Sequence, residues 1–261
     1  MKKLVLALLV LTSCNINAQQ KTAIVYDDNA QVRKVANFNA ISVSSAIDLY
    51  LTQSTTNKVA VSASSDEIRD RIITVVEGGV LIIRLGENGT WFNWKKWGNY
   101  KTKAYVSIKD IDAITASGAS DVHLVNIIES PKIRIKLTGA SDLKGDISAG
   151  TIIYDISGAS DCKSSVAANT IAITGDGASK IELAGRVDDL SVVISGASDA
   201  KLFNLNAKGA ILKASGASSI QATVTELLKA NSSGASSIDY KGNPNVKESN
   251  TFGASNIRHK N

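Results

Sequence analysis

The tripeptide Gly-Ala-Ser occurs eight times, beginning at Gly118, Gly139, Gly158, Gly177, Gly196, Gly216, Gly234 and Gly253, in steps of 21, 19, 19, 19, 20, 18 and 19 residues. A period this regular marks stacked supersecondary units, each too small to bury its own apolar face and each completed by its neighbours. Alignment on the glycine separates inside from outside. Six, four and two residues before it stand Ile133, Ile135 and Leu137, then Ile152, Tyr154 and Ile156, then Leu190, Val192 and Ile194, interleaved with Arg134, Lys136, Asp155 and Ser157. Such period-two alternation predicts a strand with one buried face. Four residues after the glycine comes a second apolar column: Val122, Leu143, Cys162, Ile181, Ala200, Ile220, Ile238 and Ile257. The expected fold is therefore all-β, a solenoid of ~19-residue coils, with strand, tight corner and strand repeating in register. Glycine supplies the backbone angles of the corner, alanine adds little bulk, and the serine hydroxyl satisfies backbone groups in its own turn or in the next coil.

The flanks extend this pattern. Residues 36–85 are β-rich and read as an N-terminal β module continuous with the solenoid; residues 104–261 hold the Gly-Ala-Ser coils. Ser44-Ser45-Ala46-Ile47-Asp48-Leu49 is a worn copy of the Ser-Gly-Ala-Ser-Asp-Val at 117–122. Ser64-Ser65-Asp66-Glu67 is a helix-start signal, with a short helix expected over Glu67 to Ile72. In the last coil Lys247, Ser249 and Thr251 fall in columns that are apolar upstream, a polar end that closes the core to water.

At the N-terminus, Met1-Lys2-Lys3 followed by the apolar run Leu4 to Leu11 reads as an export signal spanning residues 1–18, too short to cross a bilayer. Two cleavage readings stand. Leu11-Thr12-Ser13-Cys14 looks like a lipobox, which makes Cys14 the lipidated first residue and ties the chain to a membrane; Ile16-Asn17-Ala18 before Gln19 is an ordinary cleavage site. Loss of the signal removes Lys2 and Lys3 and lowers the formal charge from +5 to +3, too mild a basic excess to point to nucleic acid. Cys162 is then the one thiol beyond residue 14, so no intrachain disulfide is expected. With aromatic residues at only 5%, the core must be aliphatic.

Catalytic and metal chemistry find little purchase. Asp121, Asp142, Asp161 and Asp199 form a column suggestive of a calcium ladder, but His123, Lys144, Lys163 and Lys201 stand two residues along, and where Asp becomes Lys180 its companion becomes Glu182. Preserved opposite-sign pairing predicts surface ion pairs, not a metal site. A nucleophilic triad needs converging His, Cys and carboxylate groups, whereas this chain has two histidines, His123 and His259. No catalytic residue and no cofactor is expected.

The Phe-x-x-Ile-x-Val at 38–43, the early module ending in Gly-Val-Leu-Ile-Ile, the Ala104-Tyr105-Val106-Ser107 lead-in and the Ser-Gly-Ala-Ser-Asp-Val coils together resemble the putative auto-transporter adhesin, head GIN domain family, over residues 36 to 257. The resemblance implies a single-stranded right-handed parallel β-helix in an exported envelope protein, at the outer membrane or in the periplasm, with no established activity.

One stretch breaks the regularity. Residues 86–103 form an aromatic and basic insertion containing Trp91, Phe92, Trp94, Lys95, Lys96, Trp97 and Tyr100. Aromatic faces beside lysines suit sugar rings, a membrane interface or a protein anchor. They equally suit a plug covering a solenoid joint, and both readings stand. The leading expectation is a non-catalytic binding, adhesion or structural module that recognises envelope glycan or a surface protein; the alternative is a carbohydrate-active β-helix enzyme. Against the alternative, seven consecutive intervals vary by at most three residues, leaving little chain for a cleft.

Overall fold

The computed structural model of the protein describes residues 27–86 and 100–261. The chain enters through β1 (Gln31–Arg33) and forms a first coil from β2 (Ala40–Val43) and β3 (Ile47–Gln53). Next come β4 (Lys58–Ala63), the one-turn helix α1 (Asp66–Arg69) and β5 (Ile72–Glu77). A second coil is built from β6 (Val80–Leu85) and β7 (Thr102–Ile108), and a third from β8 (Ala113–Ala116) and β9 (Asp121–Leu124). The body of the stack consists of β10 (Ile128–Leu137), β11 (Asp142–Ile156), β12 (Asp161–Gly175), β13 (Lys180–Ile194), β14 (Asp199–Ala214) and β15 (Ser219–Gly234). It ends in β16 (Ser237–Lys241), β17 (Asn245–Gly253) and β18 (Asn256–His259).

From β8 onward the ladders are parallel, and through β15 the inward columns that flank each corner are in register as expected. Leu143 pairs with Cys162 and Cys162 with Ile181, while Tyr154 pairs with Ile173 and Ile173 with Val192. The inward positions from Val122 to Ile238 are buried, so the interior is one continuous apolar column. Each aliphatic side chain removed from water there contributes about 1.5–3 kcal/mol before the opposing cost of ordering the chain. The protein is a parallel β-solenoid.

The corner shows why the tripeptide recurs. Every glycine of the set has positive φ, between 65° and 78°. Stacking adds a second demand, because a Cβ on Gly177 would lie 2.5 Å from the Gly158 carbonyl oxygen. The next residue continues the ladder through the bend, with Ala178 N donating to Gly158 O at 2.7 Å and Ala197 N to Gly177 O at 2.7 Å. The serines turn inward and are fully buried from Ser120 to Ser236. Ser141 Oγ accepts from Ser120 N at 3.3 Å and Ser160 Oγ from Ser141 N at 3.2 Å, satisfying buried N–H groups that would otherwise be costly.

The N-terminal order differs from simple succession. β2 lies between β6 and β8, and β3 between β7 and β9, so the first coil in sequence is sandwiched by the second and third. The worn copy of the corner sits directly on the first true one: Ile47 N donates to Ser120 Oγ at 3.2 Å, and Ser45 and Ala46 adopt φ of 67° and 57°. Beyond the second coil, β5 runs antiparallel to β6, and β4 antiparallel to β7 with β1 on its far edge. α1 bridges β4 and β5, with Ser65 as its N-cap accepting from Ile68 N and Ile68 buried beneath it. The helix starts one residue before the expected Glu67, at Asp66, and ends at Arg69, because Ile72 is buried as the first residue of β5.

The last coil corrects one expectation. A bulge after Leu228 aligns Val246, not Lys247, with Leu228, whereas Ser249 and Thr251 do follow Ala230 and Ser232. All of β17 is exposed.

Candidate functional site

Of the residues singled out as a binding surface, Trp91, Phe92, Trp94, Lys95, Lys96 and Trp97 lie outside the described residues, as does Cys14. Tyr100 is half-buried and packs against the core. What the structure does place is the pair of strands that bracket this stretch. Ile83 of β6 pairs with Val43, and Thr102 of β7 with Ile47. Between these two pairings the neighbouring coil turns its corner through Ser44, Ser45 and Ala46.

Beside it, the outer face of the strands that follow each corner carries a ring stack. Tyr105, Tyr50 and His123 share one column, with centroids 5.3 Å apart for the first pair and 4.9 Å for the second. Asp27 reaches across from the entering chain, accepting from Lys103 Nζ at 3.2 Å and from the Tyr105 hydroxyl at 3.1 Å. Burial pushes the Asp27 carboxyl up, but hydrogen bonds from Ser62, Lys103 and Tyr105 outweigh it and hold the group below the usual carboxylate range. Its hydrogen bond in turn raises Lys103 above the ordinary ammonium value. Asp48, next to Lys103 on β3, is raised, first by burial and then by the like charge of Asp121.

Further along the same face Asp161 lies opposite Lys180 and Lys163 opposite Glu182. The Lys163 Nζ–Glu182 Oε1 pair, at 2.8 Å, runs between coils rather than along one strand. Lys163 holds the exposed Glu182 carboxyl below its usual range, helped by Lys180 and Lys201. The reversed coil thus places opposite charges above and below each other. Where this face bends, a groove of about 330 Å³ crosses the coils beside Lys144, Lys163, Glu182 and Asn204.

The groups best suited to covalent chemistry are held in the core. Cys162 is fully buried, and burial pushes its thiol up to about 12 although the Ser164 hydroxyl opposes this. Burial likewise raises the Tyr154 phenol well above its ordinary value. His259, at the far end, packs at a tilt against Tyr240 with centroids 5.1 Å apart, and its Nε2 lies 2.8 Å from Gly242 O. Among the described residues, no three His, Cys, Asp or Glu side chains are grouped to hold a metal ion. No helix of the described residues is long and apolar enough to cross a membrane.

Residues 37–244 match the family described as putative auto-transporter adhesin, head GIN domain. The chain belongs to that family. Its fold is shared with solved structures of similar length. A putative lipid binding protein from Parabacteroides distasonis superposes with a TM-score of 0.80 at 20% identity, covering 90% of this chain and 98% of that one. A putative adhesin from Parabacteroides merdae gives 0.80 at 18%, covering 89% and 95%. Another putative adhesin from Parabacteroides distasonis gives 0.76 at 22%, covering 88% and 96%. No curated protein matches the chain. The head GIN repeat also contains a residue that periodicity alone passed over. The position before each glycine holds Ser117, Thr138, Ser157, Asp176, Ser195, Ser215 and Ser233, and then Phe252. The signal was a single aromatic in a column of small polar residues.

Proposed function

We propose that this head GIN protein is an exported, non-catalytic adhesion module of the cell envelope, tied to a membrane through Cys14 and recognising glycan or a surface protein. The observation that supports it most directly is the uniformity of the rod. Coil after coil holds its register through the corners, and the chain between corners goes into stacking. Cys162 and Tyr154 sit inside, whereas the outer faces present regular arrays of charged, amide and aromatic groups. Such a body suits display and contact better than turnover. Family membership points the same way.

The stretch containing Trp91, Trp94 and Trp97 is the leading contact surface in this reading, since tryptophan provides large amphipathic area at low conformational cost. The test is replacement of all three by Ala in the full chain. We expect loss of binding to envelope polysaccharide or to a surface partner, with the β circular-dichroism spectrum unchanged. Unfolding would instead assign the stretch to sealing the second coil. For the anchor, metabolic labelling with a fatty-acid probe is expected to mark the native chain and not Cys14→Ala; equal labelling of both would refute lipidation there.

A further inference from the structure

In the C-terminal coils, the face formed by the strands that precede each corner changes character. Four large apolar side chains break its surface toward the last coils: Val193 and Ile211 at 43% exposure, Leu227 at 37% and Phe252 at 66%. Phe252 stands where every earlier coil has Ser, Thr or Asp. It pairs with Ser233 in the ladder and lies largely exposed at the end of the face.

Beside this ring lies a groove of about 440 Å³, lined by Val193, Lys213, Ser215, Asn231, Ser233 and Phe252. Serines keep its floor low. On its margin is a side-chain network: Asn231 Nδ2 donates to Glu248 Oε1 at 3.1 Å, while Asn250 Nδ2 donates to Glu248 Oε1 and to Asn231 Oδ1, both at 3.0 Å. These bonds hold three exposed side chains in fixed orientation. Among the hydrogen bonds of the described residues, Glu248 Oε2 and Asn250 Oδ1 are left unused as acceptors, and Lys213, the ladder partner of Asn231, adds a cationic donor in the same column.

We propose that this groove is a subsite for a hexopyranose residue of an envelope polysaccharide. A pyranose has one face of C–H groups and an edge of hydroxyls. An exposed aromatic ring meets the first, and oriented amide and carboxylate oxygens accept from the second. A lipid surface would instead need a continuous apolar or cationic face, and here amides and hydroxyls interrupt it. This subsite rests on the binding-module reading but uses none of the residues assigned to it above.

The experiment compares the native full chain with Phe252→Ser and Phe252→Trp on an array of purified bacterial capsular and O-antigen polysaccharides. Phe252→Ser restores the residue type of the other coils, so the fold should survive, as thermal melting by circular dichroism will show. We expect Phe252→Ser to lose tenfold or more in half-saturation concentration for the polysaccharides the native chain retains, and Phe252→Trp to keep or improve them. Equal retention by native and Phe252→Ser chains overturns the subsite while the wider binding function stands. Retention of no polysaccharide by the native chain overturns both the subsite and the glycan reading.

Discussion

At the level of single residues, the Gly-Ala-Ser corner separates two costs that are usually confounded. Gly118 and Gly177 share positive φ, at 65° and 78°, but a Cβ on Gly118 would meet nothing closer than Ser45 N at 3.5 Å, whereas on Gly177 it would lie 2.5 Å from the Gly158 carbonyl oxygen. Gly118→Ala should therefore cost only the left-handed conformation, about 1–2 kcal/mol. Gly177→Ala should cost at least about 2 kcal/mol more, measurable by urea denaturation; equal losses would mean the stack yields freely. Burial predicts the behaviour of Cys162. With its thiol at about 12, a Cys14→Ser chain should resist alkylation at pH 8 while folded and react only as it unfolds. Asp48 supplies a pH dependence. Its carboxyl is raised in the folded chain, by burial and by Asp121, so folding binds its proton more tightly and the penalty appears as pH rises through its range. Asp48→Asn should raise the melting temperature at pH 7 and leave it unchanged at pH 3. A lower melting temperature at pH 7 would contradict this sign.

Among the elements, what could be read in advance is what repeats. β10 to β15 were legible because inward side chains recur at a fixed offset, so columns such as Leu143, Cys162 and Ile181 declare themselves. The stacking order of the N-terminal coils was not, because β4, α1 and β5 interrupt the period. The contact of Ile47 with Ser120 spans 73 residues, and no local pattern shows that β6 and β7 pass outside β2 and β3. The bulge that displaces Lys247 was likewise hidden, since one extra residue shifts register without changing composition. The candidate sites divide the same way. The tryptophan cluster stands out by composition, but Phe252 becomes a site only once Asn231, Asn250 and Glu248 are seen beside it, contributions from different coils. The end coil also has its own latch. Asp239, half-sheltered on β16, accepts from Arg258 Nε at 2.8 Å and Arg258 Nη2 at 3.2 Å, with Lys260 at 3.8 Å. Asp239→Ala should lower the local opening free energy of β18 by about 1 kcal/mol. Amide hydrogen exchange should accelerate in β18 and stay unchanged in β11 to β14; uniform acceleration would show that the end coil is coupled to the whole.

For the whole molecule, nearest-neighbour stacking implies that a coil is a removable unit provided its neighbours still match. Residues 158–176 make one full period, and their deletion joins Ser157 to Gly177. The new contacts are favourable at the columns that flank the corner. Leu143 would meet Ile181 and Tyr154 would meet Val192 inside, while outside Asp142 would face Lys180 and Lys144 would face Glu182, preserving opposite charges. The chain so shortened should keep its β spectrum and cooperative melting, and small-angle scattering should show a rod shorter by about 4.8 Å. Removal of ten residues from the same coil, 158–167, is the contrasting case, because it breaks the register of every corner bond between the two halves. If the full-period deletion unfolded as completely as the ten-residue one, long-range coupling rather than coil-on-coil contact would have to hold the rod together.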